Sequence, residues 1–288
     1  MYNFPIGIIT DSFRTTAAEA IKKAAKCGAN GVQMYATRGE LAPETMTAEK
    51  LAEIKNLLAD NGLKVSAICG DLGRGFGNAE LNPGLIDKSK RILELAKEFG
   101  TNIVTTHIGV VPEDPNHERY KIMQAACYEL AEFADSMGSH FAVETGPETP
   151  EILKGFLDSL GSKGVAVNYD PANIVMVTKA DPVKGVYTLK DYIVHTHAKD
   201  GINIYYKNPE IVYRVIPHIV ADDNPEHTGP SYREVPLGTG SVDFTNLLKA
   251  YEEIGYKGFL TIEREVGDDP AKDIITAAEY LRKIIAEN

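Results

Sequence analysis

The sequence is poor in cysteine. It has three, Cys27, Cys69 and Cys127, odd in number, far apart and without CxxC or Cys/His spacing, which excludes a disulfide framework and a structural zinc site and fits a reducing compartment. Long apolar runs are absent, and none reaches the roughly 18–20 residues that a membrane span requires. The opening MYNFPIGIITDSF lacks the basic region and small-residue cleavage site of a secretion signal, so a cytoplasmic location is expected. Clustered basic residues are missing as well. Thirty Lys and Arg against 41 Asp and Glu leave a formal net charge of -11, which argues against nucleic acid as a partner, because its phosphates call for concentrated positive charge. A small molecule is the expected ligand.

Hydrophobic residues make up 43% of the chain and charged residues 25%, the proportions of an ordinary globular protein. Six glycines, Gly28, Gly62, Gly100, Gly138, Gly161 and Gly255, each close a helical pattern just before a strand-like run. A left-handed C-terminal cap is wanted at such places, so the chain repeats helix, glycine, strand. Thr16 to Glu19 reads as a capping box, while Asn82-Pro83 and Thr149-Pro150 pair an N-cap residue with proline at the first helical position. From Pro83 onward, Leu85, Ile86, Ser89, Ile92, Leu93, Ala96 and Phe99 share one helical face.

Strands are expected at Ile6–Thr10, Val32–Tyr35, Val65–Cys69, Ile103–His107, Phe141–Glu144, Val165–Asp170, Ile193–His197 and Phe259–Glu263. Helices follow seven of them clearly, and the sixth connection, Asp181–Lys190, is short and weakly helical. Alternating strands and helices imply a parallel sheet, and eight such units in 288 residues predict a (β/α)8 TIM barrel, a single domain over 1–288. A doubly wound open sheet is the alternative. One connection is oversized. After IVHTHAKD at Ile193–Asp200, the stretch from 201 to about 240 shows little helical periodicity and has the length of a lid or binding loop.

In such a barrel the C-terminal strand ends share one mouth. The fifth to eighth strands end in Glu144, Asp170, His197 and Glu263, in phase with the inward-facing Ala142, Asn168, His195 and Thr261. Carboxylates held this close repel unless one takes up a proton or a cation binds. With one imidazole and no cysteine, the set suits a single divalent cation, Mn²⁺ ahead of Mg²⁺ or Co²⁺. His195, deeper in the barrel, is expected to support His197. His107 at the end of strand four and Lys199 just beyond His197 face the mouth as candidates for substrate contact, with a salt bridge from Lys199 to Asp200 or Glu265 as the plainer reading. Cys69 is expected to pack, and His117, His140, His218 and His227 are expected in surface or structural roles. Arg14, Arg38, Arg74, Arg214 and Arg233 occupy loops within reach of the mouth without an evident Gly-rich phosphate cradle, so free and phosphorylated ligands both stay open.

The segments FAVETG at Phe141–Gly146, VNYDPANI at Val167–Ile174, HTHAKDG at His195–Gly201, REVPLGTGSVDF at Arg233–Phe244 and GYKGFLTIERE at Gly255–Glu265 together resemble the xylose isomerase-like superfamily of sugar and sugar-phosphate isomerases and epimerases. The likeness covers essentially the whole chain. It implies that Glu144, Asp170, His197 and Glu263 are metal ligands and that Glu144 and Glu263 also serve as acid and base through an enediolate. Asn173 stands where tagatose-type epimerases of the family carry a substrate-contacting histidine. With His107, Lys199 and Glu265 it makes up the expected substrate contacts. A metal-dependent isomerase or epimerase of a sugar or sugar phosphate is therefore expected, with a lyase or dehydratase on a keto-sugar or keto-inositol and a non-catalytic sugar-binding barrel as alternatives. The DNA-cleaving branch of the fold is disfavoured, since it needs further histidines and a basic face. Family members commonly form dimers or tetramers, so a homo-oligomer is expected.

Overall fold

The computed structural model describes residues 2–213, 227 and 229–288. Strands β1 (Ile6–Ile9), β2 (Gly31–Tyr35), β3 (Lys64–Cys69), β4 (Ile103–Thr106), β5 (His140–Glu144), β6 (Val165–Tyr169), β7 (Ile193–Ala198) and β10 (Leu260–Ile262) pair in parallel around a closed barrel. It closes because β1 pairs with β2 on one side and β10 on the other. In this cyclic order β7 stands across the barrel from β3, and β10 across from β4. Two further strands, β8 (Asp200–Asn203) and β9 (Tyr232–Val235), form an antiparallel ribbon outside the barrel.

Around the strands lie α1 (Ala17–Lys26), α2 (Ala48–Asp60), α3 (Asn82–Glu98), α4 (Glu118–Ser136), α5 (Pro150–Leu160), α7 (Pro182–Leu189), α9 (Phe244–Glu253) and α10 (Pro270–Glu287), with the short turns α6 (Pro171–Asn173) and α8 (Pro209–Val212) among the loops. Their termini follow local chemistry. The hydroxyls of Thr16, Thr47 and Thr149 accept main-chain N–H groups of the first turns of α1, α2 and α5. All six glycines singled out in the sequence adopt positive φ, between 60° and 80°, the conformation that ends a helix without a Cβ clash. α5 then buries Leu153, Phe156, Leu157 and Leu160 at helical spacing.

Three expectations need correction. Asn82 is the first residue of α3 rather than its cap, because its side-chain amide donates to the Phe76 carbonyl at 3.0 Å. The sixth connection is a well-formed turn, a π-helical stretch at Ile174–Thr178 and then α7, capped by Asp181. The stretch after Asp200 is not bare loop, since its ends are the paired β8 and β9 and it includes α8. His218 and Arg214 lie outside the described residues.

Asp200 fastens this excursion to the barrel. Its Oδ1 accepts the N–H groups of Gly201 (2.8 Å) and Val242 (3.1 Å), and its Oδ2 those of Gly238 (3.0 Å) and Gly240 (2.8 Å). A Cβ on Gly240 would lie 2.1 Å from Oδ1, so glycine is required for the approach. Replacing Asp200 with Ala strands these amides in a largely buried site, and Asp200→Ala is expected to destabilise the protein by about 2–4 kcal/mol. Urea unfolding of the two proteins measures it; an unchanged midpoint would show that the carboxylate does not hold the excursion in place.

Candidate active site

The barrel interior beneath the mouth is polar and fully bonded. His195 Nε2 meets Thr261 Oγ1 at 2.9 Å, and His195 Nδ1 donates to Asn168 Oδ1 at 2.8 Å. Asn168 Nδ2 donates upward to Glu144 Oε2 at 3.1 Å. Burial and the neighbouring His197 hold His195 well below the ordinary imidazole range, so it is a neutral strut, as its depth suggested.

Above this layer four side chains converge. Glu144 ends β5, His197 lies on β7, Asp170 directly follows β6 as the cap of α6, and Glu263 directly follows β10. Each offers one donor atom within 4.8 Å of the other three, and all four residues are buried. His197 Nδ1 stands 3.2 Å from Glu263 Oε2 and 3.6 Å from both Glu144 Oε2 and Asp170 Oδ2. Neither His197 Nδ1 nor Asp170 Oδ2 makes a hydrogen bond. Burial disfavours a charged His197, yet Glu263 and Glu144 raise its pKa well above the imidazole value: the cluster draws positive charge to its centre. Two unpartnered donors amid three carboxylates and one imidazole fit a divalent cation with oxygen-rich ligation.

The surrounding residues orient these donors. Asp170 Oδ1 is engaged by the Asn173 N–H at 2.9 Å, which leaves Oδ2 to face the cluster. Asn173 Nδ2 donates to Glu144 Oε1 at 2.9 Å. This close packing requires Gly146, where a Cβ would lie 2.3 Å from the Asn173 Cβ. His197 Nε2 lies 3.1 Å from Gln33 Oε1, whose own amide donates to Thr105 Oγ1 at 3.2 Å. Nε2 also lies 3.2 Å from Asn168 Nδ2; a cation bound at Nδ1 would leave the ring proton on Nε2, where the Gln33 oxygen accepts it. The sequence signal for Gln33 was a lone amide inside the otherwise apolar run GVQMY.

Lys199 is buried rather than at the rim, and it bonds Glu263 Oε2 at 2.9 Å and Glu265, not Asp200. Burial alone would raise Glu263, but Lys199 and His197 outweigh it and hold its carboxyl well below the usual range. Glu265 is largely exposed at the mouth. His107, one residue past β4, bonds Asp71 through Nδ1 at 3.1 Å and directs Nε2 toward Glu144 Oε1 at 3.6 Å. Burial opposes its charged form, but Glu144 and Asp71 push it up to about 10. Asp71 was not anticipated, though a carboxylate two residues past a strand end was its signal. Cys69 is buried and its thiol is pushed up to about 12 by burial, consistent with packing.

Glu144, His197, Glu263, His107, Lys199 and Asn173 line one cavity of about 980 Å³, with Asp170 buried behind them. Val212, Tyr213 and Tyr232, from the excursion after β7, form part of its wall, and the Tyr213 ring lies 6.4 Å from that of His107. Buried beside the mouth is Glu148, also missed in the sequence. Its Oε2 accepts the Val111 N–H at 3.1 Å while Oε1 has no partner, and burial pushes its pKa up to about 8.

The chain belongs to the xylose isomerase-like TIM barrel family, whose model matches residues 21–284. An uncharacterized protein of Methanocaldococcus jannaschii is 25% identical over 230 residues, covering 75% of this chain and 69% of that protein. Among solved structures, a xylose isomerase domain protein from Planctomyces limnophilus superposes with a TM-score of 0.77 at 24% identity, over 100% of this chain and 99% of its own. A D-tagatose 3-epimerase-like protein does so with a TM-score of 0.74 at 17% identity, over 98% and 97%. The same fold occurs in a D-psicose 3-epimerase, a probable 3-DHS dehydratase from Bacillus anthracis and a Mycobacterium smegmatis barrel in complex with magnesium.

Two measurements test this site. Gln33→Leu removes the acceptor that fixes the His197 tautomer and is expected to weaken Mn²⁺ binding about 10–100-fold with the fold intact; calorimetric titration with equal affinities would remove Gln33 from that role. Glu148 is stabilising as a neutral acid below its unfolded pKa near 4.5, and that contribution fades as pH rises toward about 8. Glu148→Gln should therefore gain stability relative to the parent between pH 5 and pH 8, on the order of 3 kcal/mol, in urea midpoints. A pH-independent difference contradicts it.

Proposed function

We propose that this protein is a divalent-metal-dependent isomerase or epimerase that moves a proton next to the carbonyl of a sugar or sugar phosphate. The observation that carries this reading is the buried convergence of Glu144, Asp170, His197 and Glu263, with two donors unpartnered and with Glu144, His197 and Glu263 lining a cavity of sugar-sized reach. Glu144, Asp170, His197 and Glu263 hold the cation, Mn²⁺ by preference, with Mg²⁺ or Co²⁺ as substitutes. When bound, the cation supplies electrophilic stabilisation of the oxyanion that develops during enolisation.

The chain's own residues handle the proton. Glu144 and Glu263 reach the cavity from β5 and β10, separate strands of the barrel, so that one carboxylate removes a proton from the substrate carbon and the other returns one. Return to the opposite face of the same carbon gives epimerisation, and return to the neighbouring carbon gives aldose–ketose isomerisation. Asn168 and Asn173 fix the two oxygens of Glu144. Lys199 fixes Glu263 through its ammonium group. His107, Asn173, Lys199 and Glu265 all line the cavity and supply the donors and acceptors for substrate hydroxyls. Tyr213 and Tyr232 cover part of the mouth and limit water there.

A dehydratase is the second reading. Elimination needs a general acid for the departing hydroxyl, and His107, held by Asp71 and turned toward Glu144, is placed for it. Solvent-deuterium exchange into a panel of free and phosphorylated ketoses, with and without Mn²⁺, tests both readings. Exchange without loss of water is expected, and it should fall about 100-fold or more in Glu144→Gln and in Glu263→Gln. No exchange into any substrate by metal-loaded protein would sink the proton-transfer mechanism and leave a sugar-binding barrel.

A further inference from the structure

The expectation that no glycine-rich stretch accompanies the loop arginines fails at one place. The loop after β3 reads GDLGRGFGN from Gly70 to Asn78, and Gly73, Arg74, Gly75, Gly77 and Asn78 all line the cavity. Of the other described loop arginines, Arg14 is spent on the carbonyls of Glu265 and Gly267, and neither Arg38 nor Arg233 lines the cavity. We propose that this loop, with Arg74 as its cation, is a subsite for an anionic group, phosphoryl or carboxylate, at the end of the substrate remote from the metal. The proposal rests on the isomerase reading for the near end of the substrate only.

Three observations carry it. The first is position: the loop follows β3, which stands across the barrel from β7 with His197 and Lys199, so a ligand held at the carboxylate cluster extends its far end toward this wall. The second is charge. Among the described residues lining the cavity, Lys199 pairs with Glu263 and Glu265, Arg119 with Glu210, and His107 with Asp71. Arg74 alone among these cations has no partner. The third is the backbone. Gly73 and Gly75 take positive φ of 68° and 58°, a conformation that turns successive amides toward a common point. The N–H groups of Arg74, Gly75, Gly77 and Asn78 donate to no other group among the described residues, whereas those of Gly73 and Phe76 are used by Asp71 and Ile108. The buried Nε of Arg119, packed against Gly77, is likewise without a partner. The one carboxylate within the loop, Asp71, is engaged by His107 and by Gly73.

Binding, not turnover, tests it. Calorimetric titration of the whole protein with inorganic phosphate, and with D-ribulose 5-phosphate, D-ribulose and 5-keto-D-gluconate in the presence of Mn²⁺, should show at least one anionic ketose bound about tenfold more tightly than the free one. That preference should fall about tenfold in Arg74→Gln, recover in part in Arg74→Lys and shrink with added salt, while affinity for D-ribulose is unchanged. A preference for the phosphate ester identifies a phosphoryl site, and a preference for the carboxylate identifies a carboxylate site. Equal affinities for all three ketoses, or a preference that survives Arg74→Gln, overturns the proposal. Phosphate binding without any deuterium exchange would reject the isomerase reading and keep the subsite, and exchange without an anion preference would do the reverse.

Discussion

The constraint on which the mouth of this barrel depends is the burial of three carboxylates around one point. Glu144, Asp170 and Glu263 are all nearly inaccessible, and in a medium of low polarity such a set is untenable without compensating positive charge. The protein answers from two directions. Lys199 braces Glu263 from the outer side, and His197 stands at the centre with an unpartnered nitrogen. What remains uncompensated is a place for a cation. The polar layer beneath, from Thr261 through His195 to Asn168, is arranged to hold this geometry rather than to react, since every step in it is a hydrogen bond between buried groups.

The same constraint explains why the barrel interior is not filled by aliphatic side chains alone. Gln33, Asn168 and His195 occupy inward positions where a purely structural barrel would carry branched apolar residues. Each is buried, and each ends on a member of the cluster or on a residue that does. Cluster and layer form one connected unit, and a change in either is felt by the other.

How much of this was legible depended on whether a local rule or a tertiary meeting decided the outcome. Alternation along a strand placed Glu144, His197 and their inward neighbours correctly, because side-chain phase is a property of the strand itself. The capping residues Thr16 and Thr149 and the six helix-ending glycines were legible for the same reason. Of the partners of Lys199, Glu265 was one of the two expected, whereas Glu263 was not, because it arrives from β10, and Asp200, the other expected partner, is occupied by amides of residues 238–242, forty positions away. Asp71 and Glu148 were missed because their significance lies in contacts with His107 and Val111, on a neighbouring strand's loop. Asn82 looked like a cap and became a brace for the same kind of reason: a carbonyl six residues earlier outcompeted the helix end.

The excursion after β7 was expected as a lid or binding loop, and its described residues contribute to the cavity wall and are tied to the barrel. Among its described residues, Asp200 holds its base through four main-chain amides, Asn203 on β8 donates to the Met176 carbonyl, Glu234 on β9 pairs with Arg264, and Glu210 on α8 pairs with Arg119 on α4. Val212 and Tyr213, just past Glu210, line the cavity. The base is held by short bonds to backbone, whereas α8 is held to α4 by two flexible side chains, and an ion pair of that kind is worth far less than a buried carboxylate bonded to four amides. Arg119 also packs against Gly77, so its pair with Glu210 ties α8 to the glycine loop after β3, the wall that carries Arg74.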